Sequence, residues 1–135
     1  MKVTGIETHF CWGGRTNWTF VKVLTDSGLY GWGEATLEGK EKTVAEGVQE
    51  LGRYLIGQDP FQIERHNHYM YETPFWRGGP VLGSTIAGID QALWDIKGKA
   101  LGVPVYELLG GACRERLRVY ANGPRGSTPE AYAAS

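Results

Sequence analysis

The chain has 135 residues, with 14 Lys or Arg against 15 Asp or Glu and therefore a formal net charge of −1. Apolar residues make up 41% and charged residues 21%, the composition of a globular domain and not of a disordered tail. That length fits one compact domain with a real core, and it falls short of the roughly 200 residues that a complete (β/α)₈ barrel needs. A near-neutral balance with no block of like charge argues against nucleic acid or an anionic membrane as the main partner.

Cys11 and Cys113 are the two cysteines. They form neither a CxxC pair nor a Cys/His cluster, so reduced thiols in a cytoplasmic protein are expected. The N-terminal Met-Lys-Val-Thr-Gly-Ile-Glu lacks the apolar stretch of a signal peptide, because Glu7 and His9 interrupt it. No apolar run approaches the ~20 residues that span a bilayer.

The first third reads as strands. Val3, Gly5, Glu7 and His9 alternate with Lys2, Thr4, Ile6, Thr8 and Phe10 in a mixed pattern that suits an edge strand. Residues 20–25 are β-branched and apolar, and Asp26-Ser27-Gly28 supplies a turn before the returning strand, residues 29–34. Gly31 and Gly33 inside that strand point to a bulge or a close backbone approach. Residues 12–18, Trp-Gly-Gly-Arg-Thr-Asn-Trp, read as a glycine-hinged loop between the first two strands.

The middle is helical. Val44, Val48, Leu51 and Leu55 make one apolar stripe that Gly57 ends. Asp59-Pro60-Phe61-Gln62 has the form of a helix start, with Gln62 placed to close a capping box, and this helix should run to about Glu72. A second aromatic, glycine-rich loop follows at residues 75–80. Ile86, Ile89, Leu93, Ile96 and Ala100 then mark a long helix whose Gly83, Ala87, Gly88 and Ala92 leave room for a close neighbour. Gly102 ends it, Pro104 opens a short helical turn, and Gly110-Gly111 close that turn. Residues 117–121 read as one more strand, and residues 128–133 as the beginning of a helix. Segregated strands and helices predict an α+β domain.

Candidate chemistry is sparse. His66 and His68 lie two apart on a helix, so their imidazoles point away from each other and cannot share a metal. The glycine pairs lack the spacing of a phosphate loop. Glu34, Glu38, Glu41, Asp90 and Asp95 are the carboxylates to weigh. Asp95 and Lys99 have the spacing of an ordinary helical ion pair on a solvated face, and Asp90 suits a structural hydrogen bond. What remains is the two loops, which combine aromatics, an Arg and glycines as a lid over a polar ligand would.

Three blocks carry a resemblance. They are Gly-Leu-Tyr-Gly-Trp-Gly-Glu-Ala-Thr-Leu at residues 28–37, Trp-Arg-Gly-Gly-Pro at 76–80 with Ile-Ala-Gly-Ile-Asp-Gln-Ala-Leu-Trp-Asp-Ile-Lys-Gly-Lys at 86–99, and Pro-Val-Tyr-Glu-Leu-Leu-Gly-Gly at 104–111. As a set, spanning essentially residues 2–123, the chain resembles the N-terminal capping domain of the mandelate racemase/muconate lactonizing branch of the enolase superfamily. It looks most like the acid-sugar dehydratases, of galactonate or mannonate type.

The resemblance implies a three-stranded meander followed by a helical subdomain over residues 1–113. Residues 114–135 would then be the start of a truncated (β/α)₇β barrel, with 117–121 its first strand. It implies an intact enzyme that uses Mg²⁺ to remove the proton next to a sugar-acid carboxylate, passing through an enediolate to loss of water. The metal ligands and acid/base residues would lie in the barrel, so this chain by itself would carry no catalytic residue, bind no metal and be inactive. Its partners would be the sugar acid, its own barrel domain and further copies of the same chain. Substrate choice would fall to capping-domain loops that map onto residues 12–18 and 36–39, and the lid residues would be Arg15, Asn17, Trp18, Glu38, Trp76 and Arg77. Mannonate-type relatives carry Asn in the place of Glu38, which turns the resemblance away from mannonate. A racemase or cycloisomerase cap, or a non-catalytic binding module with the cap fold, are the other readings.

Overall fold

A computed structural model describes residues 1–119 and 128–133. Three strands, β1 (Val3–Trp12), β2 (Asn17–Thr25) and β3 (Tyr30–Glu34), form one antiparallel sheet in the order β1-β2-β3. Their connections are tight. The Gly13 N–H donates to the Thr16 carbonyl at 2.9 Å, which leaves Gly14 and Arg15 alone at the tip of the first hairpin. Gly14 has a φ of 85°, the left-handed geometry that the first tip residue of such a loop requires. The strands are consequently longer than their patterning indicates. Trp12 pairs with Asn17 and Cys11 with Trp18, so three residues expected in a loop belong to the ladder.

Helix α1 (Glu41–Leu55) buries Val44, Ala45, Val48 and Leu55, close to the expected stripe, with Leu51 only half-buried. Gly52 lets this helix lie on Ile6 of β1: a Cβ there would come 2.5 Å from the Ile6 side chain. Helix α2 (Ile63–Glu72) starts later than its cap-like sequence predicts. The Asp59 carboxylate accepts the Phe61 N–H at 3.0 Å, and the Gln62 N–H donates to the Asp59 carbonyl at 3.2 Å. These bonds make a turn, not the first turn of a helix. Gln62 uses its side chain to accept from Arg65 at 2.9 Å instead of closing a capping box.

Helix α3 (Pro80–Leu101) is the central pillar, beginning at Pro80 after Gly79 and ending at left-handed Gly102. Ile86, Ile89, Leu93 and Ile96 are buried, and Ala100 lies beyond the stripe on the exposed side. Its small residues meet β3 directly. A Cβ on Gly31 would overlap the Ala92 carbonyl oxygen, and one on Gly33 would overlap that of Gly88. Both glycines are required by this backbone-on-backbone contact, and the core gathers around it.

β3 is an edge strand whose free polar groups α3 satisfies. The Trp32 N–H donates to Asp95 Oδ2 at 2.8 Å, the Glu34 N–H to Gln91 Oε1 at 3.0 Å, and Lys99 Nζ to the Tyr30 carbonyl at 2.9 Å. Residues four apart on a helix rise about 6 Å, close to the ~6.8 Å between alternate residues of a strand, so one helix face can stand in for a missing strand. Asp95 and Lys99 do pair at 2.6 Å, as their spacing predicts. Their face remains partly open to solvent, and it also lies against the sheet edge.

Helix α4 (Val105–Leu108) follows, and a short α5 (Pro129–Ala133) is the last element. Residues 117–119 form no strand, and Tyr120 and Ala121 lie outside the described residues. Isolated strands leave their backbone groups unpaired, and no neighbouring strand is available to this segment among the described residues. Cys11 and Cys113 are free and exposed.

Candidate functional site

The titratable groups inside the helical layer are structural. His66 is fully buried, with Nε2 2.8 Å from the Asp59 carbonyl and Nδ1 3.2 Å from the Tyr54 hydroxyl. A carbonyl can only accept, so Nε2 carries the proton and Nδ1 accepts from Tyr54. Asn67 donates to Asp90 at 3.1 Å, which ties α2 to α3 and accounts for Asp90 as a structural partner. His68 lies on the exposed side, 3.8 Å from Glu72. Among the described residues no three His, Cys, Asp or Glu side chains converge as a metal site would demand.

A different corner brings polar groups together around open space. The tip of the β1–β2 hairpin faces the segment that leaves β3. Gly13, Arg15, Thr16 and Trp18 on one side, and Glu34, Thr36, Leu37 and Glu38 on the other, line a cleft of about 670 Å³. Each wall has a local cause. Trp18 lies across Gly13, where any Cβ would overlap its Nε1. Beyond β3 the chain stays tied to β2, as the Ala35 N–H donates to the Thr19 carbonyl at 2.8 Å and the Thr19 N–H to Thr36 Oγ1 at 3.0 Å. It then turns: the Lys40 N–H donates to the Leu37 carbonyl at 3.0 Å, and Gly39 takes the φ of 72° that such a turn needs at its third position. Glu38 is left projecting at the apex.

Arg15 Nη2 and Glu38 Oε2 are 3.9 Å apart, with side chains 64% and 62% exposed. A pair this open is worth at most about 1 kcal/mol, so either partner can exchange the other for a ligand. Next to it, Glu41 Oε1 accepts from the Gly39 N–H at 3.1 Å and from the Thr16 hydroxyl at 3.4 Å. The bond from its own backbone N–H at the start of α1, and then that from Gly39, hold the Glu41 carboxyl below the usual glutamate range.

Of the six lid residues expected from the sequence, Arg15, Trp18 and Glu38 share this cleft. Asn17 opens instead onto a small neighbouring hollow with Phe10, Glu41 and Lys42. Trp76 and Arg77 belong to the α2–α3 loop and do not line the cleft. Trp76 is 81% exposed, packed edge-on against Phe75, and Arg77 donates to the Pro74 carbonyl at 3.2 Å. Thr16, Thr36 and Leu37 also line the cleft; they fall inside the two loops expected to form the lid, although nothing in the residues themselves singles them out.

Residues 6–110 match the family profile described as Mandelate racemase / muconate lactonizing enzyme, N-terminal domain. Among curated relatives, a D-galactonate dehydratase of Ralstonia pickettii is 55% identical over 121 residues, which is 90% of this chain and 31% of that protein. The chain thus spans about a third of the length of the relatives that it matches. Among solved structures, a candidate dehydratase from Mesorhizobium loti superposes with a TM-score of 0.88 at 44% identity, over 95% of this chain and 35% of that one. An enolase from Pantoea ananatis, solved with bound D-gluconate and Mg, gives 0.79 at 43% identity over 84% of this chain and 28% of its own. The α+β architecture, the profile match and these identities agree, and the chain belongs to the mandelate racemase/muconate lactonizing enzyme family as an N-terminal capping domain of the enolase superfamily.

Proposed function

We propose that this domain is the substrate-selecting cap of an Mg²⁺-dependent acid-sugar dehydratase, and that the cleft between residues 13–18 and 34–38 is its lid face. The carrying observation is that cleft, in which two separate chain segments present one guanidinium, two carboxylates and two threonine hydroxyls to the same space. The identity to D-galactonate dehydratases supports the choice of reaction. The proposed boundary remains residue 113, with residues 114–135 leading into a barrel domain that would hold the metal and the acid/base groups. No step through the metal is derived from this chain.

The charge of the cleft bears on which end of a sugar acid it would meet. Glu34 and Glu38 outnumber Arg15, so a substrate carboxylate gains little there, whereas hydroxyls can donate to the carboxylates and accept from Arg15. The lid would read the neutral polyol end and leave the carboxylate to the barrel. This favours an aldonic acid over a diacid with a second carboxylate at its far end. A carboxylate at Glu38 suits this role, because it is a good acceptor for a hydroxyl. Asn17, Trp76 and Arg77 would act at the rim of the same mouth.

Phe75, Leu117 and Val119 are 86%, 73% and 85% exposed, and such bare apolar side chains support the barrel and further copies of the chain as partners. Among the described residues no helix is long and apolar enough to cross a membrane, and the cytoplasm is the proposed compartment.

The test is a chimera in which residues 1–113 replace the equivalent segment of a D-galactonate dehydratase, assayed with Mg²⁺ against a panel of aldonic and aldaric acids. Turnover of an aldonic acid is expected, with none from the isolated chain. A folded chimera that turns over no sugar acid, or that prefers diacids, would overturn the proposal.

A further inference from the structure

Near the sheet the two halves of the cleft are tied by the bonds of Thr19 to Ala35 and Thr36, but at the hairpin tip they are joined by little. The hairpin tip is closed by its own Gly13–Thr16 bond at 2.9 Å, and Arg15 reaches Glu38 only at 3.9 Å, with both side chains mostly in solvent. Neither link reaches a rigid part of the fold. Glu41 does. It is the first residue of α1, and Val44 and Ala45, one turn further on, are buried in the core. From that anchored position one carboxylate oxygen touches both sides, Gly39 at 3.1 Å and Thr16 at 3.4 Å. Glu41 also lines the small hollow beneath the tip together with Asn17.

We propose that Glu41 is a positioning residue that latches the hairpin tip to the turn after β3, so that Arg15 and Glu38 face the cleft as one unit. The inference rests on the lid reading and deepens it. Glu41 would not meet the substrate. It would fix the loops that do, by accepting the Thr16 hydroxyl and the Gly39 N–H on a single oxygen. The contact to Thr16 is long for an O–H···O bond, so this side of the latch is weak. A neutral amide at this position keeps an acceptor but loses the charge that strengthens both bonds.

The latch has a pH signature. Because the folded structure depresses the Glu41 carboxyl, its contribution is present above the ordinary value of 4.5 and is lost as pH falls through the lower folded value. Charged neighbours facing the same tip are Arg15, Lys42, Glu34 and Glu38. Variants of Glu34 and Glu38 separate their contribution from that of Glu41.

Amide hydrogen exchange on the 135-residue chain decides the matter. Glu41→Gln and Thr16→Val are each expected to speed exchange in residues 13–17 roughly two- to fivefold, the loss of one long and weak bond. The amides of residues 48–55 in α1 should stay unchanged. In the unsubstituted chain, protection of the tip should fall below pH 4.5, and Glu41→Gln should flatten that profile while Glu38→Gln leaves it in place. Unchanged exchange at the tip in both variants would overturn the latch. So would a loss of protection in Glu41→Gln that spreads along α1 while Thr16→Val has no effect, for then Glu41 merely caps its helix. In the chimera, Glu41→Gln should raise KM for the aldonic acid with kcat kept. Loosened exchange with an unaltered KM would leave the latch standing and refute the lid.

Discussion

Where α3 lies on β3, backbone touches backbone; where the hairpin tip faces residues 34–38, exposed side chains meet across open space. Gly31 and Gly33 admit the carbonyls of Ala92 and Gly88, and Gln91, Asp95 and Lys99 then seal the strand edge. The opposite corner is held by Arg15 with Glu38 and by Thr16 with Glu41, at 3.9 and 3.4 Å. The first contact leaves no room for a methyl group. The second can exchange partners at small energetic cost. A cap built this way keeps one rigid seam beside a corner whose side chains meet only weakly.

Substitution should expose the contrast as a steep ladder of effects. Gly33→Ala forces the Gly88 carbonyl away from β3 and is expected to cost about 3 kcal/mol or more, read as a lower urea midpoint. Asp95→Ala leaves the Trp32 N–H and the Lys99 ammonium without their shared acceptor, a loss of about 2 kcal/mol in the same measurement. At the other corner, Gly13→Ala displaces the Trp18 indole and should alter tryptophan emission, with a stability change below about 1 kcal/mol at this exposed turn. Smallest of all, Arg15→Ala should leave the urea midpoint within about 0.5 kcal/mol of the parent. If Arg15→Ala destabilised the domain as much as Asp95→Ala, the distinction between seam and corner would fail.

The seam was partly legible in the sequence. Two glycines in a strand and a helix with Gly88 and Ala92 on one side both signal close approach, although nothing in either segment says that each is the other's partner. Asp95 and Lys99 show the limit of local reading. Four-residue spacing looks the same whether the helix faces water or a strand edge, so only tertiary structure reveals that the pair closes β3. At the cleft, glycines and tryptophans marked residues 12–18 as special. Alternation does not distinguish a seven-residue loop from a two-residue tip, so the sequence alone places Asn17 and Trp18 in a loop and the structure places them in the ladder. The start of α2 failed for a related reason, because Asp59 satisfies backbone donors equally well in a turn. Trp76 and Arg77 were picked for their chemistry, and composition alone could not say that their loop stands apart from the cleft.

The most direct test of the lid is the kinetic effect of Arg15→Ala in a D-galactonate dehydratase carrying this cap. The expected result is a KM for the aldonic acid raised about tenfold with kcat nearly unchanged, because Arg15 would bind the polyol end equally in ground and transition states. An unchanged KM, in a variant whose urea midpoint matches the parent, would contradict the claim that this corner of the cap selects the substrate.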